Sequence, residues 1–449
     1  MASIANTAER FKSNPSLRID PEQVKKACSL AKFGWRERLL TPWVTVHLLM
    51  VQILQGNCSV RRMLRVAGVN VSQEAFRQAR GRLPIDVLGY LATGVNAAAR
   101  KTCDQAARWR GHRVLSIDGT GLSMPDSAEL RDAYGLPGNA TPGCSFPVMH
   151  ALWLMDMATG LIRDFITSPC NTHDMKHACD LKGLLEPGDV VVGDRAFGTF
   201  RFVSDLFSQG FHAVCRAHQK TIIDFTPHRK SFHQMPKGKR SGRPRSEFVR
   251  KLGKWDQVVR YVKPDSRPKS MSVEQYDALP DFLLLREVRI SVQGRNGQPT
   301  MIDLVTTLLD AKAYPKIELA KLFGLRWRIE TDLLHLKQTL GMDVLRCESR
   351  DGIEKELWAY VMVYNLIRQS MAAAANRQDV APDRISFIDA VDVMRHQPHL
   401  LEVLSLVVNP WRPGRHQPRV IKRRKDKYSY MTRPRDELKE SLGITKDAA

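Results

Sequence analysis

The stretch "FGLRWRIETDLLHLK", Phe323–Lys337, decides how the rest of this chain is read. An α-helix advances about 100° per residue. With Phe323 at zero, Arg326 falls at about 300°, Glu330 at about 340° and Lys337 at about 320°, so all four share a stripe roughly 60° wide. Leu322, Leu325, Ile329, Leu333, Leu336 and Leu340 fill the adjacent sector, at roughly 200–280°. The spacing therefore predicts one amphipathic helix with an acid set between two bases along the edge of its buried face. Arg326 and Glu330 are four apart, and an ordinary surface pair worth a few tenths of a kcal/mol accounts for them. A site roofed by the helix accounts for them equally.

Two upstream acids favour the second reading. Asp118 ends the apolar run "RVLSID" and precedes "GTG", read as a turn, while Asp194 ends "DVVVGD" and precedes "RAFG". Acids at the ends of separate core strands can meet at one edge of a sheet, where α/β proteins gather their ligands. Glu330 from a covering helix would complete a carboxylate cluster. Like-charge repulsion makes such a cluster costly unless divalent cations neutralise it. An all-oxygen donor set suits Mg²⁺ or Mn²⁺, and two such ions suit phosphoryl transfer.

The 449 residues allow two or three domains. Lys and Arg number 69 against 47 acids, a formal charge of +22, which favours a polyanionic partner. The longest apolar run, "TPWVTVHLLMVQIL", is shorter than the roughly 20 residues a membrane span needs. "MASIANTAERFKSNPS" lacks a secretory apolar core. Nucleic acid is thus the expected partner, with no membrane, and the expected place is the cytoplasm. Eight cysteines carry no CxxC spacing and read as reduced thiols.

Residues 1–110 read as helical. "SVRRMLRVA" and "SQEAFRQARGRL", joined by "GVNV", suit a helix-turn-helix with Ser72 as N-cap, presenting Gln73, Arg77, Gln78 and Arg80. Packing alone accounts for such a pair as well. Residues 111–218 read as α/β: strands at "HRVLSID", "FPVMHALWLMD" and "GLIRDFITS", a helix at "HDMKHACDLKGLL", the strand "DVVVGD", a helix at "FRFVSDLFSQ" and the strand "HAVCRAH". Residues 219–300 form a basic, β-rich insertion with 15 Lys/Arg against 4 acids between Lys220 and Lys269. Residues 301–378 return to the α/β core and end in the amphipathic "EKELWAYVMVYNLIRQSMAAAAN". Residues 379–449 end in a basic arm, "RPGRHQPRVIKRRKDKYSYMTRPR", with 10 Lys/Arg against 1 acid.

"DGTGLSMPD", "GDVVVGDRAFG", "LVTTLLD" with "YPKIELAKLFGLRWRIETDLLHLKQTLGMDVLRC", and "KELWAYVMVYNLIR" together resemble the insertion-sequence family 4 transposases of prokaryotes, from about Thr41 to Ala375. The resemblance implies an RNase H-like catalytic domain: a mixed sheet flanked by helices, with an N-terminal helical domain. It implies a metal triad of Asp118, Asp194 and Glu330, with two Mg²⁺ ions replaceable by Mn²⁺. A mainly β insertion is implied between the last two acids, which are separated here by 135 residues (330 − 194 − 1). The family's Tyr-x2-Arg-x3-Glu-x6-Lys pattern falls on Phe323, Arg326, Glu330 and Lys337, with Phe323 lacking the hydroxyl. Arg326 and Lys337 would hold DNA phosphates. Some relatives stack a flipped base on an insertion tryptophan, for which Trp255 is the candidate; core packing is its other reading. Arg195 would contact DNA or simply sit at the surface.

The implied activity is cut-and-paste DNA transposition by a homodimer on double-stranded terminal inverted repeats and target DNA, in the nucleoid. A non-catalytic DNA-binding repressor or domesticated relative would need the basic surface but not the acids. A structure-specific nuclease would need the acids but not the large insertion.

Overall fold

The computed structural model describes residues 19–103, 108–137, 145–172, 178, 180–181, 185–268, 271–293, 298–401, 403–410, 433–441 and 443. The expected helix "HDMKHACDLKGLL" falls mostly outside them, and the basic arm almost wholly so. Helices α1 (Pro21–Leu30), α2 (Pro42–Leu54), α3 (Val60–Ala67), α4 (Gln73–Arg82) and α5 (Ile85–Cys103) come first. Strand β1 (Val114–Ser123), helix α6 (Ala128–Tyr134), β2 (Val148–Asp156), β3 (Ile162–Pro169), β4 (Val190–Gly193), α7 (Phe200–Ser208) and β5 (His212–Arg216) follow. The remainder used below is β6 (Glu247–Gly253), β7 (Asp256–Val262), β8 (Phe282–Gln293), β9 (Pro299–Thr306), α8 (Lys316–Gly324), α9 (Trp327–Leu334), α10 (Arg350–Arg377) and α11 (Phe387–His396).

One nine-stranded sheet runs in the order β3-β2-β1-β4-β5-β9-β8-β7-β6. Only β1–β4 and β4–β5 are parallel; the other pairs are antiparallel. The first five strands form the RNase H-like α/β sheet that the resemblance implies. The strands of the basic segment continue this sheet outward from β5 through β9. The expected division between residues 300 and 301 therefore cuts through β9. Two local readings are corrected as well. "GTG" makes no turn, because β1 keeps its pairing with β2 through Gly119, Thr120 and Gly121. Helix α6 also intervenes between β1 and β2.

Alternation along the strands sends Leu115, Ile117, Val191, Ala213 and Cys215 to one face, against Phe202, Val203 and Leu206 of α7. Val114, Val190, Val192, Val214 and Leu304 face the other way, against Leu319, Leu322 and Phe323 of α8. On that second face, Trp153 and Met155 of β2 join a core built from α2, α5, α9 and α10. The N-terminal helices thus share a continuous core with the catalytic sheet. Ser72 caps α4 as its sequence suggests, accepting from the Ala75 N–H at 3.0 Å.

The outer strands are tied by charge. Arg286 on β8 is fully buried; it grips Asp256 of β7 with bonds of 2.8 and 2.6 Å and donates to the Tyr314 carbonyl at 2.7 Å. Arg286→Met would strand the Asp256 carboxylate, and breaking a buried pair from one side costs about 3–5 kcal/mol. A clear fall in the urea midpoint is expected; an unchanged midpoint would show that the pair contributes nothing.

Candidate active site

The β1–β4 register sets Val114 beside Val190 and Ser116 beside Val192. Two residues beyond the last pair lie Asp118, still on β1, and Asp194, one residue past the end of β4; alternation assigns both to the same face. That is the face covered by α8, α9 and α10. Asp118 accepts from the Gly119 N–H at 3.0 Å, and Asp194 accepts from the Ala196 N–H at 2.7 Å in the turn that ends β4.

Phe323–Lys337 is not one continuous helix. α8 stops at Gly324, a poor helix former. Tighter i→i−3 bonds follow, from Arg326 N–H to Phe323 and from Ile329 N–H to Arg326, both at 3.1 Å. α9 begins at Trp327, and a π-turn occupies His335–Thr339. Each change of pitch resets the helical phase, so the even stripe breaks up. Leu325, expected on the buried face, is 37% exposed, while Phe323, expected in the polar stripe, is 5% exposed. Ile329, Leu333, Leu336 and Leu340 are buried as their spacing suggests.

The acid-between-bases arrangement survives this break. Glu330 takes a 3.1 Å ion pair from Arg326, whose side chain is 11% exposed. Lys337 reaches back to β1, donating to the Gly121 carbonyl at 3.1 Å and the Thr120 hydroxyl at 3.4 Å, and pairing with Asp343 at 3.0 Å. Thr120 lies two residues beyond Asp118 on the same face. α9 is braced from behind by Asp332, paired with Arg368 of α10 at 3.2 Å, and by the His335 ring, stacked on Phe387 at 4.4 Å.

Electrostatics tie the three acids to one locality. Burial pushes the Asp118 carboxyl up to about 6; Arg326 and the Gly119 N–H oppose this, and the charges of Asp194 and Glu330 add to it. Among the described residues no three Asp, Glu, His or Cys side chains are grouped to hold an ion as they stand. The charges of Asp194 and Glu330 both reach Asp118, and Glu330 is turned to Arg326.

The family profile described as "Transposase DDE domain" matches residues 109–366, more than half of the chain and all three acids. The chain belongs to the DDE transposase family. It is 24% identical over 378 residues to the transposase InsG of insertion sequence element IS4 from Escherichia coli (strain K12), covering 80% of this chain and 78% of that protein. A solved piggyBac transposase synaptic complex with hairpin DNA is similar over 87% of this chain and 80% of its own, at 11% identity and a TM-score of 0.42. The protein is a DNA transposase, and its family uses divalent metal ions.

The transposase places its other expected residues less uniformly. Arg195 bonds the Gln219 amide oxygen at 2.8 Å. Trp255 is 39% exposed at the β6–β7 turn, between the ammonium groups of Lys254 and Lys316 at 4.8 and 5.4 Å, so it fills no core. Arg77 is exposed and pairs with Glu74 at 3.7 Å; Arg80 is half-buried over the Phe76 ring. One further basic residue ends a neighbouring strand. The β4–β5 register brings exposed Arg216 level with Asp194 on the acid-bearing face. Its only sequence signal was its place at the end of "HAVCR".

A carboxyl held near 6 in the folded, metal-free chain but near 3.8 when unfolded stabilises the fold below about pH 4 and loses that contribution as pH rises through 6. Asp118→Asn stays neutral throughout. Without divalent ions it should exceed wild type in stability at pH 8 by up to about 3 kcal/mol, with no advantage at pH 4. Thermal melts at both pH values check this, and a difference independent of pH would contradict it.

Proposed function

We propose that this transposase moves its element by cut and paste, with Asp118, Asp194 and Glu330 as the carboxylates that hold two divalent cations, Mg²⁺ or in its place Mn²⁺. The observation that carries the reading is that the paired strands β1 and β4 lead into Asp118 and Asp194, and that the charges of Asp194 and Glu330 both act on the Asp118 carboxyl. The site fits such ions: its donors are carboxylate oxygens, and the mutual repulsion acting on Asp118 is what a cation would relieve. When bound, the ions supply Lewis acidity for hydrolysis at the element end and for the later attack of the freed 3′-OH.

The chain's own residues grip and orient DNA. Arg326 presents a planar fork to a phosphate beside the scissile bond, and Lys337 and Arg216 present point and fork charges along the same face. To ligate an ion, Glu330 turns away from Arg326 as a phosphate takes its place. Phe323 is buried, with the Arg326 guanidinium 5.9 Å from its ring, so its role is to back that arginine. Arg195 and Trp255 contact the DNA as it leaves the site. Helices α3 and α4, through Arg77 and Arg80, read the terminal inverted repeats within a 1–110 end-binding region. The 219–300 insertion and the arm of 379–449 add backbone contacts. A homodimer pairs two element ends, and the protein works in the prokaryotic cytoplasm, on the nucleoid.

Purified transposase with Mg²⁺ should cleave duplex DNA carrying its matching terminal repeats. Asp118→Ala should bind that DNA yet lose more cleavage than the roughly 100-fold that removing a group supporting a ligand costs. Undiminished cleavage would overturn the assignment. Lys337→Ala should weaken end binding and lower the log–log salt slope by about 0.9, the share of one phosphate; titration at several salt concentrations reads both.

A further inference from the structure

A cavity of about 400 Å³ opens on the α7 side of the sheet, the face turned away from the three acids. Phe200, Tyr261 and Phe232 supply aromatic walls, and Lys220, Arg243 and Arg245 supply charge; no acid lines it. The Phe200 and Tyr261 rings stack 6.3 Å apart with planes 15° from parallel. The Arg245 guanidinium lies 5.0 Å from the Phe232 ring. The rim is fixed from behind. Arg229, with its side chain 2% exposed, donates to the Ser246 carbonyl at 2.6 Å and hydroxyl at 2.9 Å, and lies 3.8 Å from Glu287. The Phe232 N–H donates to the Pro244 carbonyl at 2.8 Å. A rim held this way loses little entropy when a ligand arrives.

We propose that this cavity binds one unpaired nucleotide of a DNA strand, its base against the aromatic walls and its phosphate on Arg243, Arg245 and Lys220. Cations with no acid among them select an anion. Three rings are superfluous for a bare phosphate but suit a base, whose face every nucleotide offers. A concave pocket excludes a base that is still paired and stacked. Arg195 and Gln219, bonded at 2.8 Å, join the turn after Asp194 to the segment that begins the cavity at Lys220, and mark a route around the sheet edge. The site lies on the other face and needs neither the acids nor a metal, so its failure leaves the cleavage reading untouched.

Full-length transposase without divalent ions is titrated with fluorescein-labelled 12-nucleotide oligothymidylate and with a blunt 12-base-pair duplex. Arg243→Gln with Arg245→Gln should weaken oligothymidylate binding about tenfold or more, lowering its salt slope by about 0.7 for the one phosphate held, and weaken duplex binding by a clearly smaller factor. Phe232→Leu should weaken oligothymidylate about fivefold or more through lost stacking. Equal loss on both probes would overturn the proposal, since the arginines would then be a general basic surface. Displacement of the oligonucleotide by millimolar inorganic phosphate as readily as by thymidine monophosphate would overturn it too. Whether or not the variants fold, a 5-iodouridine oligonucleotide photocrosslinked to the wild-type chain decides the matter: adducts on Phe232 or Tyr261 support the site, and adducts only elsewhere refute it.

Discussion

The organising constraint is the burial of the Asp118 carboxyl within reach of the charges of Arg326, Asp194 and Glu330. Parallel pairing of β1 with β4 as far as Ser116 and Val192 sends Asp118 and Asp194 to the same end of the sheet, on a face half closed by helices. A fold carries such a pair only if something offsets its charge. In the metal-free chain the offset is partial: Arg326 lies close enough to hold the Asp118 carboxyl down against burial. The same guanidinium holds Glu330 at 3.1 Å. Its Nε is buried and finds no acceptor among the described residues. The arginine is thus shared between the acids and has capacity left over.

Placing Glu330 against this pair requires a helix supported on its far side. Asp332 and Arg368 supply that support, each about 10% exposed, with the Arg368 Nε also donating to the Thr159 carbonyl at 3.1 Å between β2 and β3. α10 carries further buried charge to the same end. Lys355, on α10, donates to the carbonyls of Arg80 and Gly81 at the end of α4, where an ammonium complements the helix dipole. Glu356, beside it, accepts from the Asn57 amide and from the N–H groups of Arg346 and Cys347. One long helix thereby fixes the N-terminal helices and the segment after Lys337 against the same sheet.

The π-turn at His335–Thr339 has a specific consequence. Lys337 sits inside that turn. The wider turn lets its ammonium reach β1 at Gly121 and Thr120, next to Asp118. Cation and acid then stand on the same short length of strand. The excess of basic residues elsewhere adds a long-range attraction to this local one.

Sequence alone determined the residue chemistry and much of the secondary structure. Apolar runs ending in Asp118 and Asp194 could only be core strands. Ser72 preceding "QEAF" could only start a helix well, and the 28-residue α10 was legible from its periodicity. Asp118 and Asp194 were conspicuous as acids closing apolar runs, whereas the grouping with Glu330, Arg326 and Lys337 came from the resemblance. Tertiary structure decided what periodicity cannot encode. The break at Gly324 and the π-turn depend on packing against β1 and α10, which moved Phe323 inward and Leu325 outward. The joining of the basic segment to β5 and the levelling of Arg216 with Asp194 are matters of strand register. Register is set between distant segments, so no local pattern announces it.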